Sequence, residues 1–427
     1  MTPLELPARE AIPLPAPPTV RARPTSNGLR IVAASRPGAA QMVLRLAFPW
    51  GAAVDPPDAL GAVHLMLRLL SEGTARYPDE AFLGAVDDAG LAWHTRLGHD
   101  TAVIDVVALP ETWSVALELL AEAVQRPTFP QEAFERLRTE VTEELRARAD
   151  DPAHVADDRL AEAALGAHPY GRLPQGRLDH LPRIPRDLVA ALHGRWVRPA
   201  GAVLAVVGAI EPDEVGVAVE RAFASWKGTP PPWRLPPLRR LRAAGRHLRV
   251  PWPGAAQAEI RLLRRGWAYG RPGWAATVVA NHIFGGNTIT GRLGARLREE
   301  LGWTYGIRSY LQAWRLGGVW GVEAAVEGGR GSAALAEALD QAARLAAAGP
   351  SDDELEQARE AVVVGLLRGF ETPAQLAGRL AMPLLHGLPA DWWRRLVRRV
   401  RRVDAAAVRR AMAGWHPDRV VRLQVGE

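Results

Sequence analysis

The stretch Gly291–Gly306, GRLGARLREELGWTYG, predicts a short helix that leads into a strand. Its apolar residues Leu293, Leu297 and Leu301 recur at helical spacing. Gly302 ends the helix, and the aromatic and β-branched residues after it favour a strand. The stretch therefore predicts a mixed fold in which a helix packs beside a sheet.

Two long hydrogen-bonding side chains of this stretch are not needed for its packing. Arg298 lies near the helix end, and Tyr305 follows the turn. A cationic donor beside a phenol suits the binding of a carbonyl oxygen or a carboxylate. A simpler interpretation stays open at this point, with an exposed helical arginine and a tyrosine that covers the end of a sheet.

Length and composition limit the possible classes of protein. A chain of 427 residues with 48% hydrophobic residues is too long for one ordinary core and predicts at least two large domains. The chain has no cysteine, which excludes disulfides, cysteine-ligated zinc and thiol catalysis.

The positive charge of the chain is almost entirely arginine. The formal net charge is +6, and Lys227 is the only lysine. The densest run, Trp392–Val403, has apolar residues at helical spacing, so its arginines are expected on the solvated face of a helix. This pattern is more typical of a GC-rich genome than of nucleic-acid recognition, and we expect no nucleic-acid partner.

The first 22 residues are rich in proline and predict an extended arm. They lack the apolar core with basic flanks that a secretory signal requires. No apolar run is long enough to span a bilayer. We therefore expect a cytoplasmic protein with no membrane partner.

The chain repeats itself at an offset of about half its length. PGAAQ occurs at Pro37–Gln41 and at Pro253–Gln257, and each copy leads into a predicted strand. FERLR at Phe134–Arg138 resembles LEQAR at Leu355–Arg359 at nearly the same offset. Two ordered matches predict a duplication. The proline-rich segment Thr229–Arg240 separates the predicted domains, 23–230 and 231–427.

Each half mixes strands with long helices. Met42–Phe48 and Ala102–Ala108 read as strands, whereas Trp113–Gln125 and Gln131–Ala149 read as helices. Helices in runs beside hairpin-like strand pairs predict an α+β fold. We expect two homologous domains, each with a mainly antiparallel sheet covered by helices on one face.

The Gly291–Gly306 stretch resembles the C-terminal-domain signature of the pitrilysin/insulinase family of zinc peptidases, which includes mitochondrial processing peptidase. The family pattern S/G-R-L-x-x-x-L-R-E-x-x-G-x-x-Y is matched at Gly291, Arg292, Leu293, Leu297, Arg298, Glu299, Gly302 and Tyr305. HPYGR at His168–Arg172 and the segment Trp196–Val215 resemble further family landmarks. The resemblance implies a clamshell half, in which Arg298 and Tyr305 hold the substrate backbone.

The metal motif of that family is degenerate in this chain. Active members carry H-x-x-E-H on a helix, where two histidines bind zinc and the glutamate acts as the base. The corresponding residues here are His64, Leu67 and Arg68, so the base and the second ligand are missing. The more distant family glutamate corresponds to Glu144, with Glu143 as the near alternative.

We expect no zinc in this chain, because the guanidinium of Arg68 stays protonated and repels a divalent cation. The expected replacement is an ion pair between Arg68 and Glu144. His64 is then expected to be a hydrogen-bonded structural histidine.

No other catalytic site is predicted. His94 and His99 could share one strand-turn unit, but no carboxylate pair accompanies them at suitable spacing. The resemblance implies that this segment forms the strand edge that receives the substrate. Nucleophile elbows and phosphate-binding loops are absent from the sequence.

The resemblance implies a non-catalytic, substrate-binding subunit of a heterodimeric zinc metalloendopeptidase. A homologous partner with intact H-x-x-E-H would carry the zinc, and the peptide substrate would contact Arg298 and Tyr305. The chain could also form a homodimer when it is alone. Two alternatives stay open: a structural relative like the core proteins of the respiratory cytochrome bc complex, and a stand-alone hydrolase with an unrecognised site.

Overall fold

The computed structural model of the protein describes residues 20–427, which form two α+β domains. The strands of the first domain are β1 Val20–Pro24, β2 Arg30–Ser35, β3 Met42–Phe48, β4 Ala92–Leu97, β5 Ala102–Ala108 and β6 Val203–Gly208. The strands of the second are β7 His247–Val250, β8 Gln257–Gly266, β9 Ile307–Trp314, β10 Gly317–Glu327 and β11 Val420–Val425.

The helices follow the same division. Those of the first domain are α1 Ala62–Leu69, α2 Ala81–Asp88, α3 Trp113–Gln125, α4 Gln131–Ala149, α5 Pro152–Leu165, α6 Arg186–Trp196 and α7 Pro212–Ala222. Those of the second are α8 Trp274–Asn281, α9 Gly331–Ala348, α10 Asp352–Arg368, α11 Pro373–Leu385, α12 Trp392–Val400 and α13 Ala405–Met412. Two π-helical segments, His282–Gly286 and Gly294–Glu300, precede β9.

The two sheets share one topology, which confirms the expected duplication. The first sheet has the order β1-β2-β6-β3-β5-β4 and the second β7-β11-β8-β10-β9. If β1 is left out, both sheets arrange their five strands in the same spatial order. Numbered by their order along each domain, the strands lie first, fifth, second, fourth and third across the sheet. In each sheet the pair β2/β6 or β7/β11 is parallel and the remaining pairs are antiparallel.

A buried arginine lies at the centre of each sheet and extends the repeat beyond PGAAQ. Arg45 on β3 and Arg261 on β8 occupy equivalent positions and are at most 9% exposed. Each lies opposite an acidic residue in the strand register, Asp105 and Glu323 respectively. Arg45 donates to Asp105 over 2.6 Å, whereas Arg261 pairs with Asp157 over 2.7 Å. A buried arginine requires such partners, since an unpaired buried charge is strongly destabilising.

Each sheet is covered on one face by helices of its own domain, as the sequence predicts. The opposite face receives one helix from the other domain. Helix α5 packs on β8 and β11 of the second sheet, and α11 packs on β3 and β6 of the first. Apolar side chains of α11, including Leu376 and Leu380, are buried against the valines of the first sheet. This exchange of α5 and α11 ties the two domains together.

The predicted N-terminal arm, 1–22, lies largely outside the described residues. Its last residues belong to β1, which pairs with β2 at the edge of the first sheet. The segment predicted as the domain boundary, Thr229–Arg240, lies between α7 and β7 and contains no helix or strand. Within residues 20–427, every helix is too short or too polar to cross a bilayer.

Candidate functional site

The Gly294–Glu300 segment is a helix with one widened turn. Leu293 and Leu297 are fully buried against the second sheet, as the apolar spacing predicts, and Leu301 is half-buried. The segment is π-helical, and the N–H of Leu301 donates to the carbonyl of Arg296 over 3.1 Å. Gly302 then takes φ of +65°, which ends the helix in a conformation that glycine adopts without strain.

The three arginines of the Gly291–Gly306 stretch differ in their partners. Arg292 pairs with Glu354 over 2.8 Å, and Arg296 pairs with Glu337 over 2.9 Å, so both hold the helix to its neighbours. Arg298 has a single looser contact, 3.4 Å from Nε to Glu299 Oε1, and its side chain is 40% exposed. Arg298 is therefore the arginine of this stretch that is available for a ligand.

Tyr305 projects from a fixed backbone into solvent. The residue is 92% exposed, which is unusual for an aromatic side chain, and its hydroxyl has no hydrogen-bond partner within the described chain. The preceding Thr304 donates from Oγ1 to Ala325 O over 2.6 Å and accepts from Gly306 N over 3.1 Å. Because the backbone is held in this way, Tyr305 would lose little conformational freedom on binding a peptide.

The strand β4 forms the free edge of the first sheet, as the resemblance implies. It pairs with β5 alone, and its exposure alternates from Ala92 to Leu97. His94 points outward on this edge. An unpaired strand edge of this kind can add an extended peptide through main-chain hydrogen bonds.

The degenerate metal motif lies on α1, and the first backbone N–H groups of this helix are bound by the side chain of Asp55. The carboxylate of Asp55 accepts from Gly61 N over 2.9 Å and from Val63 N over 2.8 Å. Asp55 is deeply buried, and this desolvation raises its pKa to about 7 although the two backbone N–H groups favour the charged form. Leu67, which replaces the catalytic base, is 1% exposed and belongs to the core of the first domain.

Arg68 forms the predicted ion pair with Glu144. Its Nη1 atom lies 3.0 Å from Glu144 Oε1, and its Nη2 atom lies 2.9 Å from Glu140 Oε2. Glu140 also pairs with Arg136, so Arg68 belongs to a network that the sequence did not predict in full. The Glu144 side chain is 54% exposed and Arg68 25% exposed, so we assign the pair no more than about 1 kcal/mol of stability.

His64 differs from the expectation of a hydrogen-bonded structural histidine. Its Nε2 atom is buried without a hydrogen-bond partner among the described residues. Burial first, and the nearby charge of Arg68 second, lower the pKa of His64 to about 4. The imidazole is therefore neutral at pH 7. Its Nε2 atom has no hydrogen-bond partner among the described residues, and the neighbouring position of the motif is occupied by Arg68.

The residues present do not fit a zinc ion. His64 offers one imidazole, and Glu144 offers a carboxylate that Arg68 already holds. Leu67 has no donor atom, and the guanidinium of Arg68 lies where a metal would need a ligand. Across residues 20–427, no group of three or more histidine, aspartate or glutamate side chains is arranged to bind a metal.

A buried network joins the two domains, and sequence reasoning missed it. Asp100, between β4 and β5, accepts from Tyr170 Oη over 2.9 Å and from Arg315 N over 2.6 Å. The Tyr170 ring stacks on Trp314 with 4.5 Å between centroids. His99 belongs to this interface, since its ring lies 5.2 Å from the Trp314 ring of the second domain, and its Nε2 lies 3.1 Å from Arg172 O. The HPYGR loop is thus an interdomain contact. His99 lies at this contact, whereas His94 is exposed on the edge strand β4.

A cavity of about 1060 Å³ lies between α5, the loop 166–179 and the part of the second sheet that α5 leaves open. All five acidic residues that line it are paired with arginine. The pairs are Asp157–Arg261, Asp158–Arg148, Glu162–Arg159, Asp179–Arg177 and Glu323–Arg308. A hydrolase that uses paired carboxylates needs at least one that is free to exchange a proton with the substrate, and each of these five carboxylates is held by a guanidinium.

Comparison with known proteins assigns the family. Residues 30–173 match the family model described as insulinase (peptidase family M16), and residues 183–362 match the model described as the peptidase M16 inactive domain. The chain belongs to the insulinase family. The two matches cover most of both domains, so membership extends over the degenerate motif as well as the Arg298 and Tyr305 segment.

Relatives of this insulinase-family chain include several proteins named as zinc proteases. An uncharacterized zinc protease of Streptomyces coelicolor is 24% identical over 378 residues, which cover 85% of this chain and 80% of the relative. The uncharacterized zinc protease YmxG of Bacillus subtilis is 23% identical over 352 residues, covering 81% and 83%. The chain is thus similar to these two proteins over about four-fifths of their length.

Two solved structures share the fold. A peptidase M16 inactive domain from Pseudomonas fluorescens has a TM-score of 0.89 at 23% identity, covering 95% of this chain and 97% of the other. A protease from Helicobacter pylori has a TM-score of 0.88 at 17% identity, covering 96% and 100%. These similarities confirm the expected two-domain α+β architecture.

Proposed function

We propose that the chain is the non-catalytic, substrate-binding subunit of a heterodimeric zinc metalloendopeptidase. A homologous subunit with an intact H-x-x-E-H motif supplies the zinc and the catalytic base. This chain supplies Arg298 and Tyr305 to the peptide that the partner cleaves. The names of the zinc-protease relatives support the reaction class.

The contrast between two parts of this chain carries the proposal. At the degenerate motif, Leu67 is packed in the core and Arg68 is held by Glu140 and Glu144. At the other site, Arg298 and Tyr305 are exposed while Arg292 and Arg296 are held in ion pairs. A chain that had lost every catalytic role would have no need to keep these two side chains available.

The chemistry assigned to each residue follows from its donor groups. The guanidinium of Arg298 donates to a peptide carbonyl or a side-chain carboxylate through two N–H groups. The hydroxyl of Tyr305 donates to a carbonyl oxygen and can stabilise the negative charge that develops there during peptide hydrolysis. The edge of β4 contributes main-chain hydrogen bonds to an extended peptide.

The proposal is tested by co-purification with the homologous protein that carries the intact motif. Zinc content and peptidase activity are measured for each chain alone and for the mixture. We expect zinc only in the partner and activity at least about tenfold higher in the mixture than in the partner alone. A complex that forms but leaves the partner's activity unchanged would support a structural role instead.

A further inference from the structure

The net charge of the chain is concentrated in its last 42 residues. Residues 386–427 contain ten arginines and four acidic residues, so this segment alone carries +6. The whole chain also carries +6, and the rest of the sequence is balanced. An arginine bias spread evenly by genome composition would not produce this distribution, and it points to a local interaction surface.

The helices α12 and α13 each carry arginines of this segment on the side exposed to solvent. The apolar residues of α12, including Trp392, Leu396 and Val400, are buried in the core of the second domain. We name the exposed arginines of these two helices and of the turn between them the basic face. It comprises the exposed residues Arg395, Arg398, Arg399, Arg402, Arg409 and Arg410.

The charge of the basic face is mostly not neutralised within the chain. Arg395 pairs with Asp391 over 2.9 Å. Within residues 20–427, Arg398, Arg402, Arg409 and Arg410 form no ion pair. This differs from Arg292 and Arg296 on the same domain, whose acidic partners lie within hydrogen-bond distance. The face is therefore available to an external anion.

A small pocket at the end of the basic face suggests the kind of anion. It has a volume of about 270 Å³ and lies between α12 and the start of α8. Arg271 and Arg399 supply its positive charge, whereas Trp274, Trp392 and Leu396 supply apolar walls. The guanidinium of Arg399 lies 5.0 Å from the Trp392 ring centroid, which orients it at the pocket.

This combination favours a phospholipid surface over a nucleic acid. A headgroup presents a phosphate next to apolar glycerol and acyl groups, which matches two cations beside apolar walls. Stacking of bases requires exposed aromatic rings, but Trp392 and Trp393 are buried on the inner side of α12. Reading of a major groove requires a protruding helix, whereas α12 lies against its domain along its whole apolar side.

We propose that the basic face docks on the anionic surface of a phospholipid bilayer, with one headgroup phosphate held between Arg271 and Arg399. The contact is peripheral and electrostatic, and it needs no apolar segment that enters the bilayer. The expectation of no membrane partner was based on the lack of a membrane-spanning segment, and a peripheral contact of this kind does not require one. The proposal does not depend on the proposed peptidase role, because the basic face lies on other elements than Arg298 and Tyr305.

The full-length chain is tested by sedimentation with vesicles of phosphatidylcholine alone and of phosphatidylcholine mixed with phosphatidylglycerol. We expect binding to the anionic vesicles only, with a steep loss as salt is raised. Replacement of Arg398, Arg402 and Arg409 by glutamine removes three surface charges. Each is worth about fivefold in membrane binding, so the triple variant should bind about 100-fold more weakly.

A control variant removes the same number of positive charges from the first domain. Arg183, Arg195 and Arg221 are exposed on the first domain and form no described ion pair, so their replacement by glutamine should leave vesicle binding within about twofold. Replacement of Arg271 and Arg399 by glutamine should weaken binding and abolish competition by soluble glycerol phosphate. Matching thermal unfolding of all variants shows that folding is retained.

Three results would overturn the proposal. The first is no sedimentation with anionic vesicles at low salt. The second is an equal loss of binding in the control variant, which would show that net charge alone matters. The third is tighter binding of double-stranded DNA or single-stranded RNA than of vesicles, lost with the same three arginines, which would assign the basic face to nucleic acid.

Discussion

Replacement of Arg68 by histidine should create a zinc site in a chain that is predicted to have none. His64 and residue 68 are one helical turn apart on α1, so two imidazoles would face the same side. Glu144 already lies within 3.0 Å of the residue 68 side chain. The variant would therefore bring together two histidines and one glutamate, which is a plausible ligand set for zinc.

The expected gain follows from the charge that the substitution removes. A divalent ion about 4 Å from the Arg68 guanidinium meets about 8 kcal/mol of repulsion at an effective dielectric constant of 20, and about 2 kcal/mol in bulk water. Arg68 is one-quarter exposed, so the true value lies between these limits. Even the lower limit corresponds to about 30-fold in affinity, before the contribution of the new ligand is counted.

Zinc binding is measured by isothermal titration calorimetry and by metal content after dialysis. Arg136→His is the matched control, because Arg136 belongs to the same network but lies outside the motif. The Arg68→His variant should bind zinc at least about 30-fold more tightly than the wild type or the control. It should not hydrolyse peptides, since Leu67 cannot act as a base. Equal zinc binding by the wild type and the variant would refute the view that Arg68 excludes the metal.

Two further predictions concern the interdomain network and the buried histidine. Asp100→Ala leaves the Tyr170 O–H donor and the Arg315 N–H donor without an acceptor, and should lower the free energy of unfolding by about 3 kcal/mol in urea titrations. A loss below about 1 kcal/mol would show that the network is dispensable. The pKa of His64 is about 4 in the folded state and 6.5 unfolded, so protons favour unfolding and stability falls as pH drops through this window. The shift amounts to at most about 3 kcal/mol. His64→Leu should flatten this fall, measured as the difference from wild type because Asp55 acts in the opposite direction.

Elements with strong local patterns could be predicted from the sequence. The predicted helices Trp113–Gln125 and Gln131–Ala149 match α3 and α4, and the predicted strand Met42–Phe48 matches β3. Their apolar periodicity is uninterrupted, and proline or polar residues mark their ends. The order of strands in both sheets could be anticipated only as a duplication, since pairing depends on contacts between distant residues.

Features that depend on tertiary contacts could not be predicted. The amphipathic pattern of α5 and α11 shows that each buries an apolar face but does not show that the sheet belongs to the other domain. The second partner of Arg68 is Glu140, one helical turn from Glu144, and the choice between them depends on how α4 crosses α1. The Asp100–Tyr170 contact joins residues 70 positions apart, and no local sequence pattern predicts it.

The most direct test of the proposed role is the activity of the reconstituted complex after Arg298→Ala and Tyr305→Ala are combined. Both residues are exposed, so folding and complex formation should be retained. Loss of one charged and one neutral hydrogen bond to the transition state should lower kcat/KM by about 100-fold. Arg296→Ala, on the same helix, should leave kcat/KM nearly unchanged. Full activity of the double variant in an intact complex, or zinc-dependent hydrolysis by this chain alone, would contradict the proposal.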